Sequence, residues 1–133
     1  MKNIIAIVLS LFTNVALACS CLQSTDEEAY KSSSSVLLVR VESTEFIPST
    51  KPMEFDSVRA KFSVIETYKS NGQSLKYLKT EKTTCEMALI SGEYYLVYSN
   101  GNETKLLNAC TRSRWVNRTK EKDLLDEYSS RNK

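Results

Sequence analysis

The sequence predicts a mainly β fold: an OB-like barrel of five short strands, flanked by short helices and stapled by two disulfides. Three observations lead there. Residues 57–64 alternate, with Val58, Ala60, Phe62 and Val64 pointing one way and Ser57, Arg59, Lys61 and Ser63 the other, the two-residue period of a half-buried strand. Asn71-Gly72 and Asn100-Gly101 supply turns between β-branched and aromatic runs, while helical patterns are confined to the two ends. Cys19, Cys21, Cys85 and Cys110 make an even set. Five antiparallel strands of this length protect their edges most simply by curling, because a flat sheet leaves its outer strands open to pairing.

The chain before Cys19 has the form of an export signal. Lys2 gives a positive start, residues 4–12 (IIAIVLSLF) an apolar stretch, and Ala16-Leu17-Ala18 a small-x-small cleavage site. Residues 4–18 fall short of the roughly 18 to 20 apolar residues a membrane span needs, and Asn14 interrupts them. Cleavage after Ala18 divides the 133 residues into a signal peptide, 1–18, and one mature domain, 19–133. The expected location is outside the cytoplasm, secreted or periplasmic. Cys19 then carries the free α-amine of the mature chain, two residues from a second cysteine.

Losing Lys2 takes Lys+Arg from 18 to 17 against 16 Asp+Glu, so the mature chain carries a net charge of about +1. Nothing in that balance calls for nucleic acid. The absence of histidine excludes a Ser-His-Asp triad, a Cys-His nucleophile pair and every His-containing zinc site. Tyr30, Ser32 and the carboxylates form no spacing that implies acid-base chemistry, so neither an enzyme nor a cofactor is expected. A monomer is expected.

Four cysteines in an oxidising compartment favour two disulfides, and of the three pairings strain disfavours the one that bridges Cys19 to Cys21 across a single residue. Both remaining pairings tie the N-terminal arm to two distant points. Each closes loops of many tens of residues, worth roughly 4 kcal/mol in lost unfolded-chain entropy. The rival is a metal site made by all four thiolates. C-x-C is tighter than the usual C-x2-C knuckle, and export argues against it.

In chain order, Ser24-Thr25-Asp26-Glu27-Glu28 offers a capping box for a helix over residues 25–32, with acids in its first turn. A serine connector, 32–35, leads into Val36-Leu37-Leu38-Val39-Arg40-Val41, the first strand. Residues 47–52 (IPSTKP) hold both prolines and form a loop or a frayed edge. The alternating second strand bends near Ile65, where its phase slips toward Tyr68. A third strand covers 75–80. Residues 94–98 and 104–109 form a hairpin around Asn100-Gly101 that delivers Cys110. Arg112-Ser113-Arg114-Trp115 leaves the sheet, and residues 120–128, with Leu124, Leu125 and Tyr128 on one side, make a final amphipathic helix.

Cys-x-Cys at a signal cleavage site, a short helix, VLLVRV, Glu66-Thr67-Tyr68-Lys69, a cysteine after a hairpin, Gly92-Glu93-Tyr94-Tyr95-Leu96-Val97 and Cys110-Thr111-Arg112 together resemble the netrin-like domain of the tissue inhibitors of metalloproteinases. The likeness spans nearly the whole mature chain and is greatest to the single-domain bacterial relatives. It implies an OB-like barrel with flanking helices, and it selects Cys19–Cys85 and Cys21–Cys110 from the two open pairings. It implies that the amine and carbonyl of Cys19 chelate the catalytic zinc of a target metalloendopeptidase. Ser20 would then enter the specificity pocket, while Cys21, Leu22, Thr83, Thr84 and Cys85 form the surrounding contact ridge. The chain would bind no metal of its own, only its partner's zinc.

Three alternatives stand beside inhibition. The C-x-C can be a staple in a non-inhibitory exported binding module. Ala16-Leu17-Ala18-Cys19 can be a lipoprotein site, in which case Cys19 is acylated and the chain meets a membrane; the even cysteine count argues against this. Arg112, Arg114, Arg118 and Lys120 can meet glycans or an anionic surface, although Glu121 and Asp123 close by favour a merely solvated face. Asn102-Glu103-Thr104 and Asn117-Arg118-Thr119 fit the glycosylation acceptor pattern.

Overall fold

The computed structural model describes residues 19, 21, 22, 24–72, 74–117, 125–127, 129 and 130. The signal segment, Ser20, Arg118, Lys120, Leu124 and Tyr128 lie outside the described residues. One helix, α1 (Asp26–Ser32), precedes six strands: β1 (Ser35–Ile47), β2 (Ser57–Lys69), β3 (Tyr77–Glu81), β4 (Tyr94–Ser99), β5 (Thr104–Leu106) and β6 (Arg114–Trp115). They form one sheet in the order β5-β3-β2-β1-β4-β6, antiparallel except for the parallel pair of β3 with β5.

The sheet is curled and open, a half-barrel of six strands rather than a closed one of five, and chain reach requires the curl. Laid flat, β4 and β5 would stand four strand spacings apart, about 19 Å. Ser99 pairs with the start of β1, opposite Lys69 of β2, whereas Thr104 pairs with the start of β3, opposite the Ala60 end of β2. That adds roughly 30 Å along the strand. The five Cα steps from Ser99 to Thr104 reach at most about 18 Å, so the two edges must bend toward each other and the long β1/β2 pair must also bend along its length, as its bulges allow.

The expected hairpin of 94–98 with 104–109 does not form. Asn100-Gly101 does turn the chain, with Gly101 at φ 94°, but β4 pairs with β1 and β6, and β5 crosses to the far edge beside β3. A two-residue turn signal reports a reversal and not which strand receives the chain next. Nor does the segment after Arg112 leave the sheet, because Arg114 and Trp115 pair with Leu96 and Tyr95 as the edge strand β6.

The first strand is longer than VLLVRV, running thirteen residues to Ile47, and both prolines fall in the loop beyond it. The phase slip at Ile65 is a β-bulge: Leu38 faces Glu66 while Val39 faces Val64, which leaves Ile65 unopposed. Further shifts at Val36/Leu37 and Val41/Ser43 also interrupt the strict period. Alternation therefore holds for Ala60, Val58 and Phe62, which pack inward, and fails at Ser57, which is buried, and at Val64, which is 49% exposed.

The run Val36–Val39 is apolar on both faces because it has a core on each side, and the outer face ends at the exposed Arg40. Leu37, Val39 and Val41 line the inside of the curl with Ala60, Leu78 and Leu107. Val36 and Leu38 face outward beneath Tyr30 of α1, Tyr68, Val116 and Leu125. Residues 125–127, 129 and 130 are helical, and Leu125 is fully buried in that outer cluster.

Candidate functional site

The N-terminal arm is held by two bridges. Cys19 is bonded to Cys85 and Cys21 to Cys110, with Cα separations of 5.6 and 5.1 Å, the same pairing the resemblance implies. No described cysteine is free, so the four-thiolate alternative has no thiolate to draw on. β3 and β5 run parallel, so the loops after them emerge at the same end of the sheet and bring Cys85 and Cys110 together. Ala109 N–H donates to Cys85 carbonyl at 2.9 Å, and Glu86 bridges Asn108. The two anchor loops are thus one unit.

Each loop is fixed locally. Cys85 N–H donates to Thr83 Oγ1 at 3.2 Å and Glu86 N–H to Thr83 carbonyl at 3.1 Å, a turn that leaves Thr84 exposed and Thr83 and Cys85 half-buried. Cys110 N–H donates to Asn108 Oδ1 at 2.9 Å. Leu22, just past the second bridge, has a fully exposed side chain, 104% by reference to the free residue. The Cys19 carbonyl oxygen lies 4.0 Å from Cys21 Sγ. A cystine sulfur carries no hydrogen, so that contact is not a hydrogen bond. The structure therefore gathers Cys19, Cys21, Leu22, Thr83, Thr84 and Cys85 at one end of the half-barrel, whereas Ser20 lies outside the described residues.

The arginines read in sequence as a basic face have a different place. Asp26, the first residue of α1, accepts at Oδ1 from Arg112 Nε (3.0 Å), Arg112 Nη2 (2.5 Å) and Arg114 Nη1 (3.0 Å). Arg114 Nη2 reaches Oδ2 at 3.4 Å. The Asp26 side chain is 17% exposed and the Arg112 and Arg114 side chains 30% and 28%. Arg112 and Arg114 are therefore engaged with a carboxylate rather than free for an external anion. Sequence reading missed this cluster because 86 and 88 residues separate the partners, and a carboxylate in a first helical turn already has a sufficient local explanation.

Beside the cluster, burial pushes the Tyr98 phenol up to about 12, with the Asp26 carboxylate adding to the shift and Arg114 and Arg112 opposing it. Lys105 of β5 sits on the inward face with Leu78 and Leu107, and desolvation lowers its pKa. Two open polar hollows lie elsewhere, one lined by Ser43, Glu45, Arg59 and Lys61, the other by Met53, Glu54, Phe55, Lys79 and Glu81. Neither includes the arm. Among the described residues no group of three His, Cys, Asp or Glu side chains is placed to hold a metal, and no helix is long and apolar enough to cross a membrane. The two disulfides fit an extracellular or periplasmic location.

No protein-family model matches the chain, and no curated protein matches it in sequence.

Proposed function

We propose that the exported chain is an inhibitor of zinc metalloendopeptidases of the tissue-inhibitor type, built on a netrin-like, OB-type half-barrel. The observation that carries this reading is the double tether of the first three mature residues to two loops that are themselves hydrogen-bonded together. The strand order β5-β3-β2-β1-β4 with its parallel β3/β5 pair supports the OB-type fold.

The chemistry follows from Cys19. With Ala18 removed it carries an α-amine, a class of group whose reference pKa is about 7.7 to 8.0, so that at neutral pH α-amines keep a neutral fraction with a lone pair where a lysine is almost wholly protonated. The amine and the Cys19 carbonyl oxygen form a five-membered chelate on a metal. Bound to the target's zinc, they would displace the water that the protease activates for hydrolysis. Ser20 would occupy the specificity pocket, and Leu22, Thr84 and the Cys19–Cys85 bridge would cover its rim. The tether lowers the ordering cost of docking. A Cys19 sulfur held in a bridge is not available for acylation, which supports a secreted or periplasmic protein over a lipid-anchored one.

A non-inhibitory exported binding module is the second reading, and the hairpin joining β1 to β2 favours it. Its exposed Phe46, Met53 and Phe55 are 56%, 98% and 58% accessible and far in sequence from the arm. The test is a panel of zinc endopeptidases, with serine proteases as controls, assayed against protein beginning at Cys19 with both bridges formed. Inhibition of at least one zinc enzyme and of no serine protease is expected. A blank panel would leave the binding module.

A further inference from the structure

We infer that Asp26, gripped by Arg112 and Arg114, is a positioning residue, the noncovalent third anchor of the N-terminal arm. A disulfide pins one pair of Cα atoms and leaves the chain on either side free to swivel. Two anchors a few residues apart fix a path. Cys21 is bonded to Cys110, and Asp26, five residues on, is held by Arg112 and Arg114, two and four residues beyond Cys110. Cys21 and Asp26 are therefore both held to the 110–114 segment, by one covalent and one ionic attachment.

The receiving segment is itself rigid. Ser113 is fully buried, and its Oγ accepts from Tyr98 N–H at 2.9 Å while lying 3.4 Å from Tyr98 carbonyl, to which it donates. Thr111 Oγ1 donates to the carbonyls of Asn108 (3.0 Å) and Ser113 (3.2 Å). Arg114 Nη1 also donates to Arg112 carbonyl at 3.2 Å, and Val116 N–H donates to Tyr94 carbonyl at 3.0 Å. Both guanidiniums are thus presented from backbone fastened to β4.

Asp26 is not needed to begin its helix. The Thr25 side chain accepts from Glu28 N–H at 3.2 Å, and the Glu28 carboxylate accepts from Thr25 N–H at 2.8 Å, a complete capping box. Glu27 and Glu28 also supply negative charge to the first turn. The Asp26 carboxylate instead turns to the socket. Forked guanidinium contacts to a largely covered carboxylate are directional as well as strong, so they set an orientation rather than add diffuse attraction.

The inhibitory consequence rests on the proposal above, whereas the positioning does not, and the test separates them. Backbone order parameters are measured by NMR on the mature, bridged protein and on Asp26→Asn, with Arg112→Lys as a second variant that keeps the charge and loses the fork. Leu22 and Ser24, between the two anchors, are expected to fall from about 0.85 toward 0.6 in Asp26→Asn while β1 and β4 stay unchanged. A smaller fall in the same residues is expected in Arg112→Lys, and that variant decides the question should Asp26→Asn not fold. Against an inhibited zinc endopeptidase, Asp26→Asn should be weaker by roughly tenfold, because ordering the arm is then paid on binding. Loosening of Leu22 and Ser24 without any protease being inhibited would keep the anchor and remove the inhibitor. Unchanged order parameters at both residues, or equal loosening of arm and core, would overturn the assignment of Asp26.

Discussion

The Tyr30 hydroxyl donates to the Tyr68 carbonyl at 2.9 Å, joining the middle of α1 to the end of β2 across 38 residues. Lys69, the next residue, returns its ammonium to the Tyr30 and Lys31 carbonyls at 2.9 and 3.1 Å and lies 5.4 Å over the Tyr30 ring. The last turn of a seven-residue helix is thereby capped from the sheet. Tyr30→Phe keeps the packing and deprives a buried carbonyl of its donor, so a loss of about 1 to 2 kcal/mol is expected in denaturant unfolding. No loss would mean that water replaces the hydroxyl.

The second bridge should contribute a large share of stability. Cys21–Cys110 closes a sequence separation of 89 residues, and the double variant Cys21→Ser, Cys110→Ser should lose about 4 kcal/mol. Guanidinium unfolding of the two proteins measures this. A loss under about 1 kcal/mol would show that the unfolded chain already holds those ends together.

Tyr98 should make the protein sensitive to alkali. A phenol with a pKa raised from 10.0 to about 12 stays protonated longer in the folded state than in the unfolded one. Its contribution is complete below pH 10 and is lost as pH rises toward 12, up to about 3 kcal/mol across that window. Tyr98→Phe should flatten that part of the stability profile. It should cost little at pH 7, since among the described residues the buried hydroxyl makes no hydrogen bond of good geometry and has only a weak contact with the Arg114 guanidinium.

Met53 marks strain at the hairpin tip. It has φ 68° in the turn Lys51-Pro52-Met53-Glu54, the third position of a turn where glycine is favoured. Its side chain is 98% exposed, so Met53→Gly removes no packing and should gain about 1 kcal/mol. Thermal unfolding checks the sign.

Local signals were legible in the sequence and long-range pairings were not. Thr25 and Glu28 form the capping box their spacing announces, Gly72 and Gly101 take positive φ where Asn-Gly was read as a turn, and Ile65 sits at the bulge where the alternation slips. The crossing of β5 to β3, the edge pairing of Trp115 with Tyr95 and the grip on Asp26 are different in kind. Each joins residues whose short neighbourhoods are satisfied by another reading, and only chain reach and the competition for buried edges decide between them. At the arm, the cysteine spacing left two pairings open, and the parallel β3/β5 pair explains how Cys85 and Cys110 come to share one end of the sheet.

In the proposed inhibitor an uncovered Cys19 amine, held by crosslinks, closes on a protease's zinc. The direct measurement compares the inhibition constant of protein beginning at Cys19 with that of protein carrying one alanine before it, after mass analysis has established both bridges in each. A loss of at least about a hundredfold is expected on extension, because an amide nitrogen has no lone pair to give, with unfolding unchanged. Equal inhibition by the two proteins would contradict it.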